Sequence, residues 1–185
     1  MVRKRFFYIV LCAVMCAFCT VISQIAIPTP FGIPLTLQTF IFSLIGYVLG
    51  IKYGLLTVFL YVLMGAIGLP VFYGFRGGIS AIFGDPTGGF IIGFLPLTML
   101  CGLKSNIFNA KNGRIFSVLF GFLGVILCHL CGITMYTILS GMPFYKSAVI
   151  VSLPFIFKDF VICALACLLS GKVIKILKKT IPEFK

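Results

Sequence analysis

Apolar runs separated by short polar connectors fill almost the whole chain. Six of them follow one another, at about 6–27, 36–50, 54–69, 88–103, 115–139 and 147–176. Each approaches or exceeds the ~20 residues a helix needs to cross the hydrocarbon core of a bilayer. The pattern predicts an all-α membrane protein of six transmembrane helices, with residues 1–185 forming one integral membrane domain. The connectors carry turn chemistry. Residues 28–34 read Pro-Thr-Pro-Phe-Gly-Ile-Pro and cannot continue a helix. Residues 51–53 predict a tight turn between spans two and three. The third run closes on Gly68, Leu69 and Pro70, and the next connector is the exception in length.

That connector carries Arg76, Gly77, Gly78, Asp85, Pro86, Thr87, Gly88 and Gly89 before the fourth run begins near Phe90. Helix–helix connections usually take about 2–8 residues, so one this long favours a binding loop or lid. Its glycines permit unusual backbone angles and close approach to a ligand. It is also rich in Phe and Ile, which a merely solvated connector does not need. The plain alternative is an ordered surface loop.

Composition agrees with the pattern. The 185 residues are 61% hydrophobic and only 10% charged, against a charged fraction of about 25% in soluble domains. A net charge of +12 raises the question of nucleic acid, but the cations sit in short connectors and at the termini, as the positive-inside rule requires. With both termini in the cytoplasm, only Arg76, Lys146 and Lys158 fall on the outer half, which leaves 12 of the 15 cations inside. Asp85 and Asp159 also lie on the outer half. The partners this predicts are membrane lipid and a small ligand, without nucleic acid. The charged start followed by an apolar run resembles a signal peptide, but the run is long and lacks an A-x-A-like site, so it reads as a retained helix.

Several local patterns suggest chemistry that their context removes. Cys12, Cys16 and Cys19 have the C-x₃-C-x₂-C spacing of an iron–sulfur site, and Cys128, His129 and Cys131 mimic a metal knuckle. Both sets lie in apolar spans, where Cys acts as a small hydrophobe, and no metal or cofactor is expected. His129 reads as a packed interior histidine. Residues 166–173 lack the first glycine and final Ser/Thr of a phosphate loop.

Two polar sets remain. Thr36, Gln38 and Thr39 open the second span and need partners in a water-poor setting. Lys158 and Asp159 stand inside the sixth, where an ionisable side chain costs at least about 2.5–3.5 kcal/mol at the bilayer centre and marks a functional site. Adjacent helical residues point about 100° apart, so this pair is not expected to face itself. An interfacial pair with Lys158 snorkelling to water is the alternative. With Arg76, these charges suit a compact, largely apolar ligand that has one carboxylate and N–H donors for Asp159. No activated nucleophile, metal triad or acid/base pair accompanies them, so binding is expected and not catalysis.

These residues resemble the BioY family of biotin transporters, the substrate-binding S components of energy-coupling factor (ECF) transporters. The segments that carry the resemblance are IPLTLQT at 33–39, YVLMGAIGLPVF at 61–72, Arg76-Gly77-Gly78, PTGGF at 86–90 and Pro154-Phe155. The resemblance implies six helices in the cell membrane, high-affinity biotin capture on the outer side under a capping loop between helices 3 and 4, and a partner module of one transmembrane coupling protein and two ATPases. The ligand-binding residues expected from the residue reading and the matched segments together are Asp159, Lys158, Arg76, Gln38, Thr36, Tyr61, Gly77, Gly78, Thr87 and Gly88. Ala13 and Ala17 match the family's A-x-x-x-A signature for contact with the coupling protein, although internal packing explains small residues at that spacing equally well. In the family the span-six Asp is typically followed three residues later by Lys. Here Ile162 holds that position and Lys158 precedes the Asp, which leaves the partner of the ligand carboxylate open between Lys158 and Arg76. The alternatives are an S component for another small vitamin, or an intramembrane enzyme that uses His129 and the cysteines.

Overall fold

The computed structural model describes residues 2–30, 33–103, 113–181 and 184, with side chains from Arg5 onward. Most of the connector expected at 104–114, with Lys104 and Lys111, lies outside these residues, as does Lys185. Seven α-helices are described: α1 Val2–Gln24, α2 Gln38–Ala66, α3 Ile79–Phe83, α4 Gly88–Cys101, α5 Gly113–Ser140, α6 Phe144–Val151 and α7 Leu153–Thr180. Four of them, α1, α2, α5 and α7, are long and apolar enough to cross a membrane, and α4 is a shorter apolar helix.

The longest element, α2, is folded back on itself. Gly50 takes φ 70° and ψ −177° in its middle, a conformation that side chains strongly disfavour. Gln38 and Tyr61 would stand about 35 Å apart on a straight helix, yet Gln38 Nε2 donates to Tyr61 Oη at 3.4 Å. The two arms therefore lie antiparallel. The reversal expected at 51–53 is centred on Gly50, because glycine accepts the required angle, and residues 51–53 already belong to the returning arm.

Close helix contact follows from small residues. Gly89 and Gly93, four apart on α4, face α5 so closely that a methyl group on Gly93 would stand 2.8 Å from Cys128 Cα. This small-x-x-x-small spacing draws backbones together where the hydrophobic effect is weak. Cys12, Cys16 and Cys19 are buried against the rest of the molecule, consistent with their reading as small apolar residues, whereas Ala13 and Ala17 lie on the exposed face of α1.

Two departures from the sequence pattern lie between α1 and α2 and ahead of α7. The loop after α1 is pinned by a two-stranded antiparallel pair, β1 Ala26–Ile27 with β2 Leu35–Thr36. The run expected as one span over 147–176 breaks at Ser152 into α6 and α7. Pro154 explains the break, since it fits the first turn of α7, where its missing N–H costs nothing.

The long connector has its own architecture, a 3₁₀ turn at Tyr73–Phe75 followed by α3. It doubles back on the end of α2, where Gly78 N–H donates to Gly65 O at 2.7 Å. Gln24, the last residue of α1, ties it down by donating to Phe72 O at 3.0 Å and accepting from Phe75 N–H at 2.9 Å.

Candidate functional site

One cavity joins the start of α2, the long loop, α4 and α7, with an empty space of about 540 Å³ including its open mouth. Its polar lining is Thr36, Gln38, Thr39, Tyr73, Thr87, Lys158 and Asp159. Its apolar walls are Ile33, Pro34, Phe90, Ile91, Phe94 and Phe155. Aromatic walls around a few convergent polar groups are the usual form of a small-molecule site.

The charged pair at the start of α7 is the electrostatic centre. Lys158 Nζ stands 2.8 Å from Asp159 Oδ1. The expectation that these neighbours would not meet is therefore corrected. Their Cβ atoms do diverge, but the lysine stem is long enough to bring its ammonium back to the carboxylate. The same ammonium donates to Thr36 O at 2.8 Å, so the β2 strand holds Lys158 in place. An interfacial lysine reaching for water does not describe this residue.

His129 supplies the other half of the support. It is 3% exposed, with Nε2 at 3.1 Å from Asp159 Oδ2 and Nδ1 at 2.9 Å from Ser152 Oγ. An ionised carboxylate only accepts, so Nε2–H donates to Asp159, while Nδ1 shares a hydrogen bond with the Ser152 hydroxyl. The packed interior histidine expected from sequence is thus a polar link between α5, the α6–α7 junction and α7. No local pattern announces it, because its partners lie 23 and 30 residues away.

Ser152, His129 and Asp159 have the partner order of a hydrolytic triad. The resemblance ends there. Neither Ser152 nor His129 lines the cavity, and both are buried.

Gln38 and Tyr61 fall into different layers. Gln38 lines the cavity and donates through Nε2 to Ser23 Oγ at 3.0 Å as well as to Tyr61. Tyr61 is fully buried behind it and donates to Val71 O at 3.0 Å. It joins the α2 arms and the loop without reaching the cavity wall. Phe94, on the wall, stacks on Phe42 with ring centroids 4.1 Å apart.

The loop residues also separate. Thr87 lines the cavity, and its N–H and hydroxyl both donate to Asp85 Oδ1, at 2.9 and 2.7 Å. Arg76 pairs with the other oxygen of Asp85 and lies over the Tyr73 ring, 5.9 Å from its centroid. It is half exposed and is not a lining residue, although Tyr73 is. Gly77, Gly78 and Gly88 do not line the cavity either. A side chain on Gly77 would collide with Leu69 O and one on Gly88 with Ile82 O, while Gly78 holds φ +92°. These glycines shape the loop; they are not lining contacts.

The sequence profile of the BioY family matches residues 2–179. The chain belongs to the BioY family. Among relatives, a probable biotin transporter BioY of Pyrococcus horikoshii is 39% identical over 140 residues, 76% of this chain and 80% of that protein. The biotin transporter BioY of Rhizobium etli is 34% identical over 148 residues, covering 76% and 78%. The biotin transporter BioY2 of Lactococcus lactis is 28% identical over 180 residues, 97% of each chain. A crystal structure of the S-component for biotin from an ECF-type ABC transporter superposes with a TM-score of 0.82 at 27% identity, covering 95% of this chain and 94% of that one. This BioY-family chain is accordingly a multi-pass integral membrane protein of a transporter family and not an enzyme.

Proposed function

We propose that this chain captures biotin on the outer side of the cell membrane as the S component of an ECF transporter. The observation that carries the reading is the likeness to the biotin S-component over almost the full length of both chains, in a molecule whose cavity presents a lysine–aspartate pair at 2.8 Å. Biotin's fused rings end in a cyclic urea, which has two N–H donors flanking a carbonyl. Asp159 accepts from a urea N–H. Lys158 has three donors, of which Asp159 and Thr36 O occupy two, and the third serves the urea carbonyl. The aromatic walls Phe90, Phe94 and Phe155 pack on the rings, and Gln38, Thr36 and Thr87 supply polar contacts around them.

Biotin's carboxylate stands at the far end of its valerate chain from the urea. A lysine held beside Asp159 suits the ring end, so Arg76 is the better partner for the carboxylate. Its planar fork binds a carboxylate well, and its place over Tyr73 keeps it near the cavity. The loop over 70–88 closes the site as a cap, with Gly77, Gly78 and Gly88 setting its path.

For the whole chain we propose six crossings, made by α1, the two arms of α2, α4, α5 and α7, with both termini in the cytoplasm. The exposed Ala13 and Ala17 face a transmembrane coupling protein, which two ATPases drive. A thermal-shift screen on the solubilised chain tests the reading, because a ligand that binds only the folded state stabilises it in proportion to ln(1 + [L]/Kd). Biotin is expected to raise Tm more than any other vitamin. A larger shift with a different vitamin would make this an S component for that compound.

A further inference from the structure

We infer that His129 is a positioning residue for ligand recognition: held by Ser152, it fixes the Asp159 carboxylate by Oδ2 and, through Oδ1, the Lys158 ammonium that faces the ligand. This rests on the proposed biotin capture and concerns a residue that does not touch the cavity.

The carboxylate has two oxygens with different duties. Oδ2 receives His129 Nε2–H at 3.1 Å. Oδ1 is buried with the Lys158 ammonium 2.8 Å away as its partner. A carboxylate buried this far and the cation beside it hold each other in place, because either left alone would be costly. Both residues line the cavity and Lys158 is the more exposed of the two, so a ligand meets this pair as the carboxylate has set it.

Orientation then decides the affinity. The terminal torsion of an aspartate is broad and roughly two-fold, so a carboxylate without lateral support exchanges its oxygens and tilts. Here each oxygen is tied to a different part of the fold. His129 on α5 takes one, and Lys158, itself tied to Thr36 on β2, takes the other. His129 in turn cannot swing, because Ser152 holds Nδ1 at 2.9 Å and Phe90 meets the ring edge-on at 5.5 Å. Phe90 is also a cavity wall, so ring position and wall position are set together. Preorganisation of this kind lowers what the ligand must order on binding.

A double-mutant cycle tests the role, with biotin titrated calorimetrically into the purified full chain. His129→Phe is expected to weaken biotin about tenfold in the wild-type background and less than about twofold in Asp159→Asn, where the charge it positions is gone. His129→Gln keeps an amide N–H donor and should recover most of the loss. Ser152→Ala should show a smaller loss, again only while Asp159 is present. Equal losses with and without Asp159 would mean that His129 merely packs, and would overturn the inference while leaving biotin capture standing. A wild-type chain that does not bind biotin would overturn both. If His129→Phe does not fold, His129→Ala and Ser152→Ala complete the same cycle, and additivity in both refutes the positioning role.

Discussion

Asp159 has its side chain 8% exposed, and a carboxylate buried that far persists only if charge and hydrogen bonds replace its water. Lys158 and His129 supply them from opposite sides. Their separate roles predict separate phenotypes. Lys158→Met should weaken biotin and biotin amide alike, since the urea end is common to both ligands. Arg76→Ala should weaken biotin while leaving the amide nearly unchanged. Losses on the order of tenfold are expected for removing one charge-assisted contact, read by titrating both ligands against both variants. A Lys158→Met loss confined to biotin would return the carboxylate to Lys158. At this scale the sequence was informative about charges and silent about their support. Lys158 and Asp159 stand out because ionisable groups are rare in apolar runs. Ser152 is an ordinary residue in such runs and His129 read only as packed interior, and the folding of α5 against the α6–α7 junction is what brings them to the carboxylate. The diverging Cβ directions of Lys158 and Asp159 also misled, because backbone geometry says little about where a flexible four-carbon stem ends.

The all-helical character was legible from the apolar runs, but the helix boundaries were not, since one run broke at Ser152 into α6 and α7, and two further features needed the third dimension. Strands β1 and β2 are two residues each, too short for any period-2 pattern to register. The reversal of α2 depends on a single φ at Gly50, in a run whose other glycines, Gly46 and Gly54, look equivalent in sequence. Those two instead permit close packing, with a methyl on Gly54 standing 3.1 Å from the Thr98 side chain. The first helix carries the prediction at this scale. Its cysteines face inward and Ala13 and Ala17 face outward, so bulky substitutions at the alanines need not disturb the core. Ala13→Phe or Ala17→Phe should abolish most biotin uptake by cells carrying the transporter module, by preventing close helix approach. Biotin binding by the isolated chain should remain within about twofold. Loss of binding as well would mean that α1 packs internally through these residues.

At the scale of the whole molecule, the proposed topology puts the cavity outside and the basic end of α7 inside. Lys172, Lys175, Lys178 and Lys179 are exposed along the last turns of α7, where cations also suit the helix dipole. In a cysteine-free background, an impermeant thiol reagent added outside should label a cysteine at Phe75, which is 72% exposed. It should not label one at Lys179 or at Asn109, the latter in the connector outside the described residues. The reverse pattern would invert the topology and put the cavity on the wrong side for uptake. The central claim, that the isolated chain captures biotin through Asp159, is tested most directly by calorimetric titration of biotin into the purified protein and its Asp159→Asn variant. Tight one-to-one binding is expected for the wild type, with a loss of about 2 kcal/mol, about thirtyfold, in the variant. Unchanged biotin affinity in Asp159→Asn would contradict it.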